Sequence, residues 1–143
     1  MTTARDIMNA GVTCVGERET LNAAAQHMRE RDIGALPICG DDDRLNGIVT
    51  DRDIVIKGLA TGLDPNTTTV GELAQNGVHY VSADASIQEM LNVMEEHQIR
   101  RLPVVEGHRL VGMVTEADIA RHLPEHAVVQ FVKAICSPAA ITR

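Results

Sequence analysis

The chain has 143 residues, is 44% apolar and carries a formal net charge of −7, which suits one compact domain or two interlocked small ones around an aliphatic core. Its acidity, the lack of any basic run and the presence of only one tyrosine (Tyr80) and one phenylalanine (Phe131) argue against a nucleic-acid partner, because phosphate backbones select positive charge and bases select aromatic platforms. No stretch approaches the ~18 consecutive apolar residues of a membrane span, and Met1–Ile7 has neither the basic start nor the apolar run of a secretory signal, so the cytoplasm is the default expectation.

The first element is a short β-rich stretch, Val12–Val15. Leu21, Ala24, Ala25 and Met28 follow at i, i+3, i+4 and i+7, the spacing of one apolar helix face, with Thr20 as N-cap. Ile33–Ile38 reads as a strand, Gly40–Asp43 as an acidic turn, Leu45–Val49 as a third strand, and a second helix starts at Thr50. The order β-α-β-β-α predicts a right-handed crossover between two parallel strands, then a hairpin. Gly58–Thr69, rich in Gly, Thr and Asn, reads as a linking loop.

The pattern then starts again. Val78–Val81 is strand-like. Ser86 and Glu89 are spaced as a capping box ahead of Ile87, Met90, Leu91 and Met94. Ile99–Val105, the turn Glu106–His108, Leu110–Val114 and a helix from Thr115 complete the copy. Pro124 precedes a last helix over Glu125–Cys136, whose Val128, Phe131, Val132 and Ile135 share one face. That face packs on the chain's own core or on a second subunit.

Residues Ala4–Val55 are thus written again as Val70–Ala120. Leu36-Pro37 recurs as Leu102-Pro103, and Gly47–Ile54 as Gly112–Ile119. A unit this small cannot bury its apolar face alone, so the copies are expected to pair and leave a cleft between related halves.

Two copies of β-α-β-β-α, each with a Leu-Pro-Ile or Leu-Pro-Val step followed by G-(I/M)-V-T-x-x-D-I, resemble a pair of CBS domains, the Bateman module. The resemblance implies an α/β (α+β) fold of two CBS units related by pseudo-two-fold symmetry. It places the first unit at residues 4–60, the second at 69–123, and a C-terminal helix and tail at 124–143. It also implies a homodimer whose work is regulatory binding of adenosine nucleotides. The two ends of the chain, Thr2–Cys14 and Arg121–Ala127, are similar to stand-alone CBS pairs with a stress-response role. This narrower likeness implies release from the cell without a leader.

By that resemblance Thr50, Asp53, Thr115 and Asp118 bind phosphate and ribose where a strand turns into a helix, a position whose free N–H groups favour an anion. Leu36 and Pro37 in the first copy, and Arg101 beside Leu102-Pro103 in the second, would wall the base. Thr-x-x-Asp is equally the signature of a capping box that only finishes a helix. Asp51 and Glu116 make the rim acidic, which points to a mono- or diphosphate rather than ATP. Arg52 serves the first motif, and Arg100 and Arg101 are the cations expected near the second, which has none of its own.

His97 lies three residues after Met94, and His122 three after Ile119, so both lean toward apolar faces. They read either as half-buried helix-end histidines or as zinc ligands. Two ligands are too few for zinc, which wants about four, and the two helices of one unit run antiparallel. His97 of one chain would therefore meet His122 of its dimer mate, and a symmetric dimer would hold two equivalent metals. Cys14 and Cys39 fall on neighbouring parallel strands, close enough to bond. They read as two buried thiols in a reducing compartment or as a disulfide in an oxidising one, and the narrower resemblance favours the second. Cys136 is expected to be unpaired.

No catalytic residue is assigned. The strings G-x-S-x-G, G-x-x-x-x-G-K-[ST] and H-E-x-x-H are absent, and Cys14 and Cys39 sit in apolar strands that disfavour a thiolate. Two classes remain. One is a sensor of a small ligand, with an adenosine nucleotide in the cleft. The other is a zinc- or disulfide-stabilised interaction protein with a vestigial cleft, acting on an unknown protein partner through its surface.

Overall fold

The computed structural model describes residues 1–74 and 77–137. The elements are α1 (Ala4–Ile7), β1 (Val15–Gly16), α2 (Leu21–Arg31), β2 (Ala35–Cys39), β3 (Leu45–Thr50), α3 (Asp51–Asp53), α4 (Val70–Leu73), β4 (Val81–Ser82), α5 (Ile87–His97), β5 (Arg101–Glu106), β6 (Arg109–Thr115), α6 (Glu116–His122) and α7 (Glu125–Ile135). They form two compact units, one of Thr13–Val78 with His108–Leu110, the other of Met1–Val12, His79–Gly107 and Val111 onward.

The first unit holds a three-stranded sheet in the order β1-β2-β3. β1 runs parallel to β2, with Val15 opposite Ile38. β2 and β3 form the expected hairpin from Ala35↔Thr50 to Cys39↔Leu45, with a register shift at Ile38/Cys39 that leaves Asn46 as the extra residue. α2 is the crossover. The Thr20 hydroxyl accepts from Ala23 N, and the helix stops where Asp32 turns left-handed at φ 53°. Leu21, Ala24 and Met28 of its stripe are buried with Val15, Leu36, Ile38, Val49, Ile54 and Val70. Ala25 is exposed, so the buried face is narrower than the apolar spacing suggests.

The second unit repeats this plan. Its sheet has the order β4-β5-β6, β4 is parallel to β5 with Val81 opposite Val104, and α5 runs from the Ser86 cap to a left-handed Gln98. Its core is larger. Met90, Leu91, Met94, Leu102, Val104, Val114 and Ile119 pack with Phe131 and Ile135 of α7. Each large apolar side chain fully buried in this way stabilises by about 1.5–3 kcal/mol. Phe131 and Ile135 of the α7 face are therefore covered by the chain's own core, with Val128 partly buried against it, while Val132, expected on the same face, is exposed.

The structure adds to the sequence reading in three places. Strands β1 and β4 are each two residues long and share only Val15 and Val81 with the expected stretches Val12–Val15 and Val78–Val81. The helix from Thr50 runs past α3 through a π turn, Ile54–Gly58, and a 3-10 turn, Leu59–Thr61, ending at Gly62 with φ 83°. The start of the expected linker is therefore helical. Short helices α1 and α4 were not anticipated, and they are exchanged between the copies: α1 of the first repeat belongs to the unit of the second, and α4 of the second to the unit of the first. Glycine makes the exchange fit. A Cβ on Gly112 would come within 2.8 Å of Met8 Cγ and 3.1 Å of Asn9 O, and one on Gly47 within 3.1 Å of Ala74 Cβ.

Candidate functional site

Each strand-to-helix corner is closed by its own Thr-x-x-Asp motif. In the first unit Thr50 Oγ1 accepts from Asp53 N at 3.0 Å, and Asp53 Oδ2 accepts from Thr50 N at 3.0 Å. In the second, Thr115 N donates to Asp118 Oδ2 at 2.9 Å, and Asp118 N to Thr115 Oγ1 at 3.4 Å. Both are complete capping boxes, so helix closure is one role of these residues. Thr3 with Asp6 and Thr69 with Glu72 make the same box on α1 and α4.

The outer carboxylate oxygens are also engaged. Lys57 Nζ lies 3.3 Å from Asp53 Oδ1, and Arg121 Nη2 2.8 Å from Asp118 Oδ1. The second motif therefore has a cation one helical turn on, Arg121, where the sequence reading gave it none of its own. The signal was present in the sequence as the i, i+3 and i, i+4 spacings Asp118–Arg121 and Asp53–Lys57. Asp118 is buried while Arg121 is 65% exposed at the side chain, so the cation can swing away and free an acceptor. Leu36 is wholly buried in the core, Pro37 is buried, and Arg101 is half-buried at the start of β5.

His122 ends α6, and its Nδ1 lies 2.9 Å from the Asp118 carbonyl oxygen. A carbonyl only accepts, so Nδ1 carries the proton and the Nε2 lone pair is left outward, the tautomer a metal ligand needs. His97 ends α5, half-buried, and its ring stacks on that of His79, with centroids 3.5 Å apart and planes 13° from parallel. Among the described residues no group of three or more His, Cys, Asp or Glu side chains could hold a metal. One chain thus offers donors of the right chemistry but not the full set for zinc. His79 had no place in the sequence reading, because its stacking partner lies on another element and local spacing does not bring the two together.

Cys14 and Cys39 are disulfide-bonded, with Cα atoms 5.5 Å apart. Cys14 immediately precedes β1 and Cys39 ends β2, and the parallel pairing Gly16↔Cys39 brings them together. Cys136 is free and exposed, with Arg100 Nη2 3.6 Å from its sulfur. No described helix is long and apolar enough to cross a membrane.

The CBS domain model matches residues 4–58 and 70–125. Hypoxic response protein 1 of Mycobacterium tuberculosis is 82% identical over 141 residues, covering 99% of both chains. A crystal structure of hypoxic response protein I with two coordinated zinc ions superposes with a TM-score of 0.81. It is 81% identical, and the match covers 86% of this chain and 100% of that one. A hexameric CBS-CP12 protein from bloom-forming cyanobacteria is 29% identical with a TM-score of 0.74, over 85% of this chain and 71% of its own.

Proposed function

This chain belongs to the CBS-domain family, carrying the domain twice, and on that premise we propose that it is a regulatory, stress-response binding protein rather than an enzyme. Its leading ligand is an adenosine mono- or diphosphate, held at the strand-to-helix corners by Thr50 and Asp53 in one unit and Thr115 and Asp118 in the other. The observation that carries this reading is the repetition of the same corner in both units, each with an Asp oxygen held only by a side chain at least half exposed, Lys57 or Arg121. A ribose hydroxyl can replace that cation on the carboxylate, and the released cation can turn to the phosphate. Arg101 is the further cation on the second corner, and Leu36 and Pro37 form the apolar backing of the first.

A second reading is favoured by the closed capping boxes and the Cys14–Cys39 bond. In it the corners have lost their ligand, and the protein works through its surface on a protein partner, stabilised by zinc and the disulfide. The named relative with two coordinated zinc ions supports zinc here; the proposed ligands, His97 of one copy and His122 of a second in a homodimer, rest on the sequence reading and on the Nδ1 hydrogen bond that leaves the His122 Nε2 lone pair free. When bound, zinc would supply a cross-link between copies. The relative's name supports a role in hypoxia. We place the protein in the cytoplasm, with exposure to an oxidising environment accounting for the Cys14–Cys39 bond, which reducing compartments do not keep.

A thermal-shift panel of AMP, ADP, ATP, adenosylmethionine and Zn²⁺, with and without chelator, separates the readings. A nucleotide at a hundred times its Kd stabilises by about 2.7 kcal/mol, and Asp53→Asn with Asp118→Asn should abolish that shift. A response to zinc alone supports the second reading and removes the first.

A further inference from the structure

We infer that His79 is a positioning residue for the metal ligand His97: its ring, stacked on that of His97, holds the imidazole in the orientation that presents its nitrogen to zinc. The inference deepens the zinc reading above and rests on it. The topology creates the pair. β4 runs parallel to β5, so the crossover helix α5 must return antiparallel, and its last residue ends beside the segment that enters β4. His97 is that last residue, and His79 precedes Val81 by two. His97 is half-buried, so the plane of its ring is set by the groups that it touches, and the ring of His79 is one of them.

The geometry separates support from ligation. A metal sits in the plane of the imidazole that binds it, at about 2.0–2.1 Å from nitrogen. With planes only 13° from parallel and centroids 3.5 Å apart, a metal in the plane of one ring lies well out of the plane of the other. The two rings therefore do not chelate one ion, and His97 has the half-buried position while His79 is exposed. A face-to-face contact sets the plane of the His97 ring, because rotating that ring breaks the contact with His79.

The test uses the full-length protein and zinc itself, with affinity read by competition against a chromophoric chelator and Co²⁺ substituted to read the ligand field. His79→Ala should weaken zinc binding about tenfold or more, as loss of an outer-shell support does. His79→Phe, which keeps a flat ring and removes both nitrogens, should restore affinity to within about threefold of the parent and leave the Co²⁺ spectrum unchanged. An unaltered affinity in His79→Ala overturns the inference while leaving the zinc reading intact. A His79→Phe variant as weak as His79→Ala, or with a changed Co²⁺ spectrum, overturns it by making His79 a ligand. A parent that binds no zinc, or a His97→Ala variant that binds it as well as the parent, overturns both. Circular dichroism melts in chelator confirm that each variant is folded.

Discussion

Four threonines in this chain close four helices, and each does so with a carboxylate three residues on. At Thr50 and Thr115 the hydroxyl accepts an N–H that would otherwise be unpaired, so Thr50→Ala and Thr115→Ala should each cost about 1 kcal/mol in urea unfolding whether or not a nucleotide binds. A loss confined to ligand-bound protein would show that the caps are idle. Asp6 and Glu72 carry a pH signature. The Thr3 backbone N–H, aided by its hydroxyl, holds the Asp6 carboxyl below its ordinary value, and the Thr69 backbone N–H and hydroxyl do the same for Glu72. A carboxylate whose pKa is depressed by folding stabilises the fold above the ordinary carboxylate range, and that contribution is lost as acid takes the pH down through the depressed value. The amide resonances of Ile7 and Val70 should therefore shift in acid as α1 and α4 loosen. In Asp6→Asn and Glu72→Gln the corresponding acid transition should disappear.

At the scale of elements, the amphipathic helices were legible because burial imposes a period on long segments. Leu21, Ala24 and Met28, and again Met90, Leu91 and Met94, read as buried stripes and are so. The hairpins were legible because two apolar runs flank a short acidic turn. Helices α1 and α4 were not, because four residues show no period; their only signal was the capping box, which is also the motif of the corners. Their exchange between units lay beyond the sequence, since contact between Gly112 and Met8 is a long-range fact that local pattern does not carry. The disulfide was legible as one of two alternatives, because parallel neighbours bring Cys14 near Cys39 but redox state is set outside the chain. With its ends 25 positions apart in the sequence, the bond should stabilise by roughly 3 kcal/mol through the chain entropy it removes from the unfolded state. Reduction by dithiothreitol, or Cys14→Ser with Cys39→Ser, should lower Tm by a matching amount. An unchanged Tm on reduction would show that the first unit does not depend on the bridge. Phe131 tests the other unit. It is 1% exposed among Met90, Met94 and Leu102, and Phe131→Ala should cost about 3–5 kcal/mol.

At the scale of the whole molecule, four of the nine large apolar residues exposed among the described ones fall close together in the sequence. Val55, Ile56 and Leu59 lie within about one turn of each other along the helical run after Thr50, and Leu63 follows just past its end at Gly62, at 51%, 49%, 55% and 41% exposure respectively. Water penalises such a cluster unless another surface covers it. Its position is informative. The π turn Ile54–Gly58 adds a residue to the helical turn, which keeps Ile54 and Gly58 in the core while Val55, Ile56 and Leu59 face out. A homodimer that covers this face places the apolar cluster at the interface centre, where one anchor can carry 2 kcal/mol or more, about thirtyfold in Kd. Leu59→Asp should therefore shift sedimentation from dimer to monomer at protein concentrations that keep the parent paired, with its far-ultraviolet spectrum unchanged. Zinc shared between His97 and His122 of two copies would act on the same equilibrium by mass action. Chelator should then raise the dimer Kd of the parent, while His122→Ala should make that Kd insensitive to chelator. Sedimentation that stays dimeric in Leu59→Asp would move the interface off this helix. A parent Kd equal with and without chelator would remove the metal from it.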